Sequence, residues 1–177
     1  GSLSATVGNY SPLRLAGDMT GPISDKVAYS LSANYNVRDG YAKDRNTGND
    51  LNERNRWGVR GQLLIEPTED LSFRIIGDFD KIDERCCVAG NVVNGPTGAA
   101  IMALGGMIDA ENPYSYDVYY NLPSQNDVSN SGVSVQADYD MGFANLTSIT
   151  AHRSSKLETN QDSDFTSADL IGRNWND

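Results

Sequence analysis

Positive charge is scarce in this sequence: 177 residues carry 14 Lys plus Arg against 24 Asp plus Glu, a net charge of −10. Phosphate recognition needs a basic face, so nucleic acid and anionic lipid headgroups are poor partners. No run of 18 apolar residues occurs, which excludes a transmembrane helix while leaving a wall of strands open. One His and two Cys are too few for a soft-ligand metal centre. His152 stands without a nucleophilic Ser or Cys in a suitable setting, so a hydrolytic triad has no support and no enzymatic function is expected. Hydrophobic residues reach only 38%, below the ~45–50% of ordinary chains, a figure that also counts glycine. A large wet surface, or a sheet with one wet face, is the expected consequence. No basic-then-apolar leader opens the chain, so an export signal is expected to have been removed or never to have belonged to it.

What the chain does have is period two. Val27, Tyr29, Leu31, Ala33, Tyr35 and Val37 alternate with Ala28, Ser30, Ser32, Asn34, Asn36 and Arg38. Successive side chains of a strand point to opposite faces, so this run is apolar on one side and polar on the other. The pattern returns in Trp57, Val59, Gly61, Leu63 and Ile65, in Leu71, Phe73, Ile75, Gly77 and Phe79, and in Val133, Val135, Ala137 and Tyr139. Weaker versions are Leu3, Ala5, Val7 and Leu13, Leu15, Gly17, Met19, and residues 143–153 are rich in β-branched side chains. These runs predict seven antiparallel strands in an all-β, up-and-down meander.

The connections alternate in length. Tight turns rich in Pro, Gly and Asp span residues 21–26, 66–70 and 140–142, whereas long loops span about 39–53 and 86–131. Every long loop therefore leaves the same end of the sheet, the asymmetry of transmembrane β-barrels. Tyr29, Phe73 and Tyr139 fall near the tight turns, and Tyr35, Trp57 and Phe79 near the long loops. Six residues of tilted strand separate these rows by roughly 15 Å, inside the ~25 Å apolar band of such barrels. A soluble β-sandwich uses the same alternation and is the competing architecture.

The stretch from Leu15 through Asp18, Gly21, Pro22, Asp25 and Tyr29 to Tyr35 resembles the opening barrel strands of TonB-dependent outer-membrane receptors. So do Gly8-Asn9-Tyr10 before it and Arg38-Asp39-Gly40-Tyr41 after it. Arg56 to Leu63, with Glu66-Pro67-Thr68-Glu69-Asp70-Leu71, looks like the next hairpin, and Leu146 to Arg153 like the seventh strand. The resemblance covers nearly the whole chain in loose strand and turn patterns. It implies a bacterial outer-membrane transporter that takes up a scarce nutrient, such as an iron–siderophore or cobalamin, with energy from TonB. Its partners are then membrane lipid, the rest of the barrel, a plug domain and the small-molecule ligand, with no cofactor. Seven strands are far fewer than the roughly 22 of such transporters, and no plug is recognisable. The expectation is a barrel-domain fragment spanning residues 1–177. Arg60, Gln62, Arg74 and Asp78 would then face the plug. A sandwich binding module and a small structural outer-membrane barrel are the alternatives.

Cys86-Cys87 opens the longest loop and is a candidate vicinal disulfide, with free thiols as the other reading. Gly90 to Pro96 has phosphate-loop glycine spacing but places Pro where Lys must stand, so that motif is rejected. Thr97 is expected to cap a short helix over 98–104 whose Ile101, Met102 and Leu104 pack the loop downward. Asp44 to Asp50 has a faint calcium-loop pattern and reads as a solvated turn; Asp78, Asp80, Asp83, Asp162 and Asp164 read as solvated acids. Tyr114, Tyr116, Tyr119 and Tyr120 form the most binding-like segment, because tyrosines in an exposed loop both stack and hydrogen-bond; the other reading is that they fasten the loop to its neighbours.

Overall fold

The computed structural model describes residues 1–90, 93, 95–108, 112 and 114–176. The strands are Ser2–Val7 (β1), Leu13–Ser24 (β2), Val27–Arg38 (β3), Ala42–Asp44 (β4), Asp50–Leu51 (β5) and Arg54–Thr68 (β6). They continue as Leu71–Glu84 (β7), Asp117–Val118 (β8), Gln125–Asp140 (β9), Asn145–Asp162 (β10) and Gly172–Asn176 (β11). One helix, Pro96–Ala103 (α1), lies in the connection before β8.

Eight strands form a single antiparallel meander in the order β1-β2-β3-β6-β7-β9-β10-β11. The all-β meander is as the periodicity predicts, with one strand more than seven. The addition is β11, five residues of sequence GRNWN, too short and too polar to show alternation. β9 also starts at Gln125 and not near Val133, and β10 runs on to Asp162. Their extensions carry polar residues on both faces, so period two vanishes from the sequence while the backbone ladder continues. β1 and β11 each pair on one side only, and the sheet is not closed into a barrel.

Register gathers most apolar residues of β1, β2, β3, β6, β7 and β9 onto one face, to which β10 contributes Ser148, Thr150 and His152, its Ile149 lying on the other. Tyr35 stands opposite Trp57 and Val59 opposite Phe79, while Leu63 faces Ile75 and Ile75 faces Val135. The Trp57 and Phe79 rings lie 5.1 Å apart. Among the described residues no second layer covers this face: Leu31, Tyr35, Trp57, Val59, Val133 and Val135 are all exposed. Beyond Phe79 its chemistry changes abruptly, because the next same-face positions are Lys81 and Asp83 on β7, with Asp127 on β9 and Lys156 on β10. Lys81 and Asp127 form an ion pair there.

The opposite face carries a polar ladder. Arg153 reaches over Gly132 to Asp78, with contacts of 2.8 and 3.1 Å. A Cβ at position 132 would lie 2.7 Å from the guanidinium, which is why glycine occupies the position between them. Asn130 donates to Asp80 at 2.8 Å and accepts from Ser155 at 2.7 Å. Arg60, Gln62 and Arg74 share this face through their pairing with Asp78, Ile76 and Gln136.

The tight turns lie at one end of the sheet. Gly142 adopts φ +81°, and Asp140 accepts its amide at 2.7 Å, closing the β9–β10 turn. The long connections lie at the other end and contain a small sheet in the order β5-β4-β8. Ala42, Leu51, Val118 and Tyr120 form a buried cluster there, with Val88 and Phe165 packed against it. The remaining buried hydrophobic residue among those described, Ala168, also belongs to a connection, so the sheet itself contributes no core.

Candidate functional site

The loop end is built around Tyr120, which is 1% exposed. Its hydroxyl donates to the Ala89 carbonyl and accepts the Ala89 amide, both at 2.7 Å. Its own amide donates to Asp44 at 3.1 Å. Burial pushes the Tyr120 phenol up to about 12, reinforced by the nearby Asp162 and Asp44 carboxylates against the opposing hydrogen bond from Ala89. Tyr120 is thus a structural anchor that ties the loop to its neighbours and offers no ring face to a ligand.

Asp44 is likewise buried and is not the solvated turn its neighbours suggest. It accepts the Asn46 amide at 3.0 Å and the Thr47 hydroxyl at 2.5 Å. Those donors occupy the carboxylate, so the segment is an Asp-closed turn and not a cation loop. Asp162 is also fully buried, accepting amides of Asn121, Asp164 and Phe165 at 3.0–3.2 Å. Asp164, half-buried, accepts from Thr166 and from the amides of Leu170 and Ile171. Partial burial opposes ionisation of Asp164, but these donors outweigh it and hold the carboxyl below its ordinary range. Among the described residues no group of three or more His, Cys, Asp or Glu is arranged to hold a metal ion.

Tyr114 and Tyr116 are exposed at 77% and 61%, and Tyr119 is half-buried. Tyr116 meets Tyr41 edge-on at 5.7 Å, and Tyr41 meets Tyr10 at 6.2 Å. Arg38 lies 5.1 Å above the Tyr41 ring. The segment therefore divides into an exposed aromatic row and a buried anchor. Pro113, the first residue of that segment, lies outside the described residues, as do 91, 92 and 94 of the rejected phosphate loop.

α1 starts at Pro96, with Gly95 as its N-cap and no side-chain cap. Proline suits the first helical position because its missing N–H is one the helix leaves unpaired anyway. This displaces Thr97 from the capping role, and Met102 and Leu104 are exposed and do not pack the loop down.

Cys86 and Cys87 are joined by a disulfide. Asn52, at φ +61°, accepts the amides of Cys87 and Val88 at 2.9 and 3.2 Å. Arg85 grips Glu53 with two contacts of 3.0 Å, and Ala89 is held by Tyr120. The disulfide is therefore fixed on both sides. Beside it opens a cavity of about 380 Å³, lined also by Asn126, Leu157, Thr159, Gln161, Arg173 and Trp175. Register puts Asn126 and Trp175 opposite Thr159, and Arg173 opposite Gln161, so all belong to the polar face. The Arg173 guanidinium lies 5.4 Å over the Trp175 ring. Sequence reasoning missed this group: its only trace was the spacing of Arg173 and Trp175 by two in an otherwise polar tail.

Comparisons with protein-family models, with curated proteins and with solved structures find no match.

Proposed function

We propose that this chain is a stretch of wall from a bacterial outer-membrane β-barrel of the TonB-dependent receptor type, which takes up a scarce small-molecule nutrient. The observation that carries the reading is the uncovered apolar face, bounded at Phe79 and Trp57 by aromatics and then at once by Lys81 and Asp127. Hydrocarbon accepts such a surface, and the water interface accepts aromatic rings followed by charge. From Leu71 to Lys81 the strand advances ten residues, about 25 Å at ordinary rise and barrel tilt. A sandwich would place a second sheet on that face, whereas Val133 and Val135 are 51% and 40% exposed. The unpaired edges of β1 and β11 are the places where further strands of a barrel would join, since open edges do not persist in lipid. The rest of the receptor would supply those strands, the plug that meets Arg60 and Arg74, and the link to TonB.

Two tryptophans test this directly, because Trp57 stands on the apolar face and Trp175 on the polar one. In vesicles of phosphatidylcholine brominated near the headgroup, Trp57 emission (read in W175F) should fall strongly and Trp175 emission (read in W57F) little. Equal quenching of the two would overturn the proposal.

A further inference from the structure

We propose that the cavity between the Cys86–Cys87 disulfide and Trp175 binds a small ring-bearing carboxylate. The inference rests on the barrel-wall reading for how such a ligand arrives, not for the shape of the pocket.

The walls give the ring. Cys86, Cys87, Leu157 and Trp175 line one space of about 380 Å³, within the range of small-molecule sites. Trp175 remains 49% exposed, so part of its surface is available to a ligand ring. Sulfur beside an aromatic ring is itself a favourable contact, and offset stacking on Trp rewards a flat or nearly flat group. The backbone brackets at Asn52 and Tyr120 hold the disulfide in place before any ligand arrives, which lowers the ordering cost of binding.

Charge gives the carboxylate. In a chain of net charge −10, this pocket is lined by one charged residue, Arg173, and no acid. None of the ion pairs among the described residues includes Arg173. A guanidinium packed over an indole presents a fork of donors beside an apolar wall, the geometry that accepts a carboxylate in two parallel hydrogen bonds. Amides of Asn126 and Gln161 and the Thr159 hydroxyl supply further polar groups around it. A neutral ligand of the same shape gains no charge-assisted hydrogen bond from the exposed Arg173, and a cationic one is repelled by it.

The W57F chain in phosphatidylcholine vesicles leaves Trp175 as the reporter. Benzoate should quench its emission saturably, and benzamide, its neutral shape-match, should bind about tenfold more weakly or worse. Adding R173Q should bring benzoate down to the benzamide level. Replacing both cysteines (C86S/C87S) should weaken the two probes together, because it removes wall and not charge. Equal affinities for benzoate and benzamide, absence of saturation, or an R173Q variant that still prefers benzoate would each overturn the proposal. Brominated-lipid quenching of Trp57 in a separate R173Q/W175F chain tells the two readings apart. If quenching persists while benzoate fails, the ligand assignment falls and the wall remains.

Discussion

Val135→Arg isolates the claim that lipid covers the apolar face. Val135 lies between Ile75 and Thr150 in the ladder, flanked on its own face by Val133 and Ala137. Ser131 and Tyr139 stand four residues away on either side, about 13 Å along the strand, which puts Val135 near the middle of the uncharged stretch. An arginine at the bilayer midplane of a barrel costs roughly 2–4 kcal/mol, a shift of about thirty- to nearly a thousandfold in the folding equilibrium at 1.4 kcal/mol per decade. Ser129→Arg, on the same face but level with Lys81, should cost only about 0–1 kcal/mol because it sits near the interface. Ser134→Arg, one residue away on the polar face, should stay within about 0.5 kcal/mol. Urea unfolding from phosphatidylcholine vesicles, followed by tryptophan emission, reads all three. The reasoning fails if Val135→Arg and Ser134→Arg cost the same in vesicles, since a face meant for water cannot tell them apart.

Other outcomes follow from the loop end. Tyr120→Phe removes the hydroxyl from both Ala89 groups and should cost about 1–3 kcal/mol, seen as faster proteolysis between β7 and β9 with the sheet's circular dichroism unchanged. The Tyr120 phenol is raised to about 12 in the folded state, so its stabilising effect is full below the unfolded value near 10 and is lost as pH climbs towards 12. The loss totals roughly 2–3 kcal/mol; a protease assay stepped from pH 9 to 12 should show it in the wild type and not in Tyr120→Phe. Gly40→Ala would bring a Cβ to 2.6 Å from the Leu51 carbonyl and 2.7 Å from its amide. Backbone cannot step aside as a side chain can, so β4–β5 pairing should weaken by about 1–3 kcal/mol, visible as faster amide exchange at Asp44, which donates to Asn49, and at Leu51.

How far the sequence could be read depends on where each segment sits relative to the apolar band. In β3, β6 and β7 one face is apolar, and alternation announces both the strand and its orientation. The first third of β9, the last third of β10 and all of β11 lie beyond Lys81, where both faces are polar, so the same ladder leaves no hydropathy signal. The loop end was opaque for another reason. Asp44 and Asp162 look like surface acids, and only the converging amides of Asn46, Tyr120 and Asn121 make them buried acceptors. Tyr114 and Tyr120 are the same residue in one short stretch; contacts with Ala89 and Phe165 decide that one is exposed and the other an anchor. The pocket required β11 to be placed beside β10, a long-range pairing that no local pattern encodes.

A consequence for stability follows from the location of the core. The buried hydrophobic residues all lie in connections at one end, and those connections could not by themselves order eight strands reaching to the far turns. Backbone hydrogen bonds contribute little net stability in water, because the unfolded chain makes equivalent bonds with solvent. In hydrocarbon the comparison reverses: an unpaired amide has no solvent partner, and each ladder bond becomes obligatory. The exposed apolar residues then face a medium that costs them nothing, and the polar ladder of Asp78, Arg153, Asn130 and Asp80 lines the wet side. On the barrel-wall proposal the medium around such a sheet takes the place of a core, and the Val135→Arg comparison measures whether that medium is lipid.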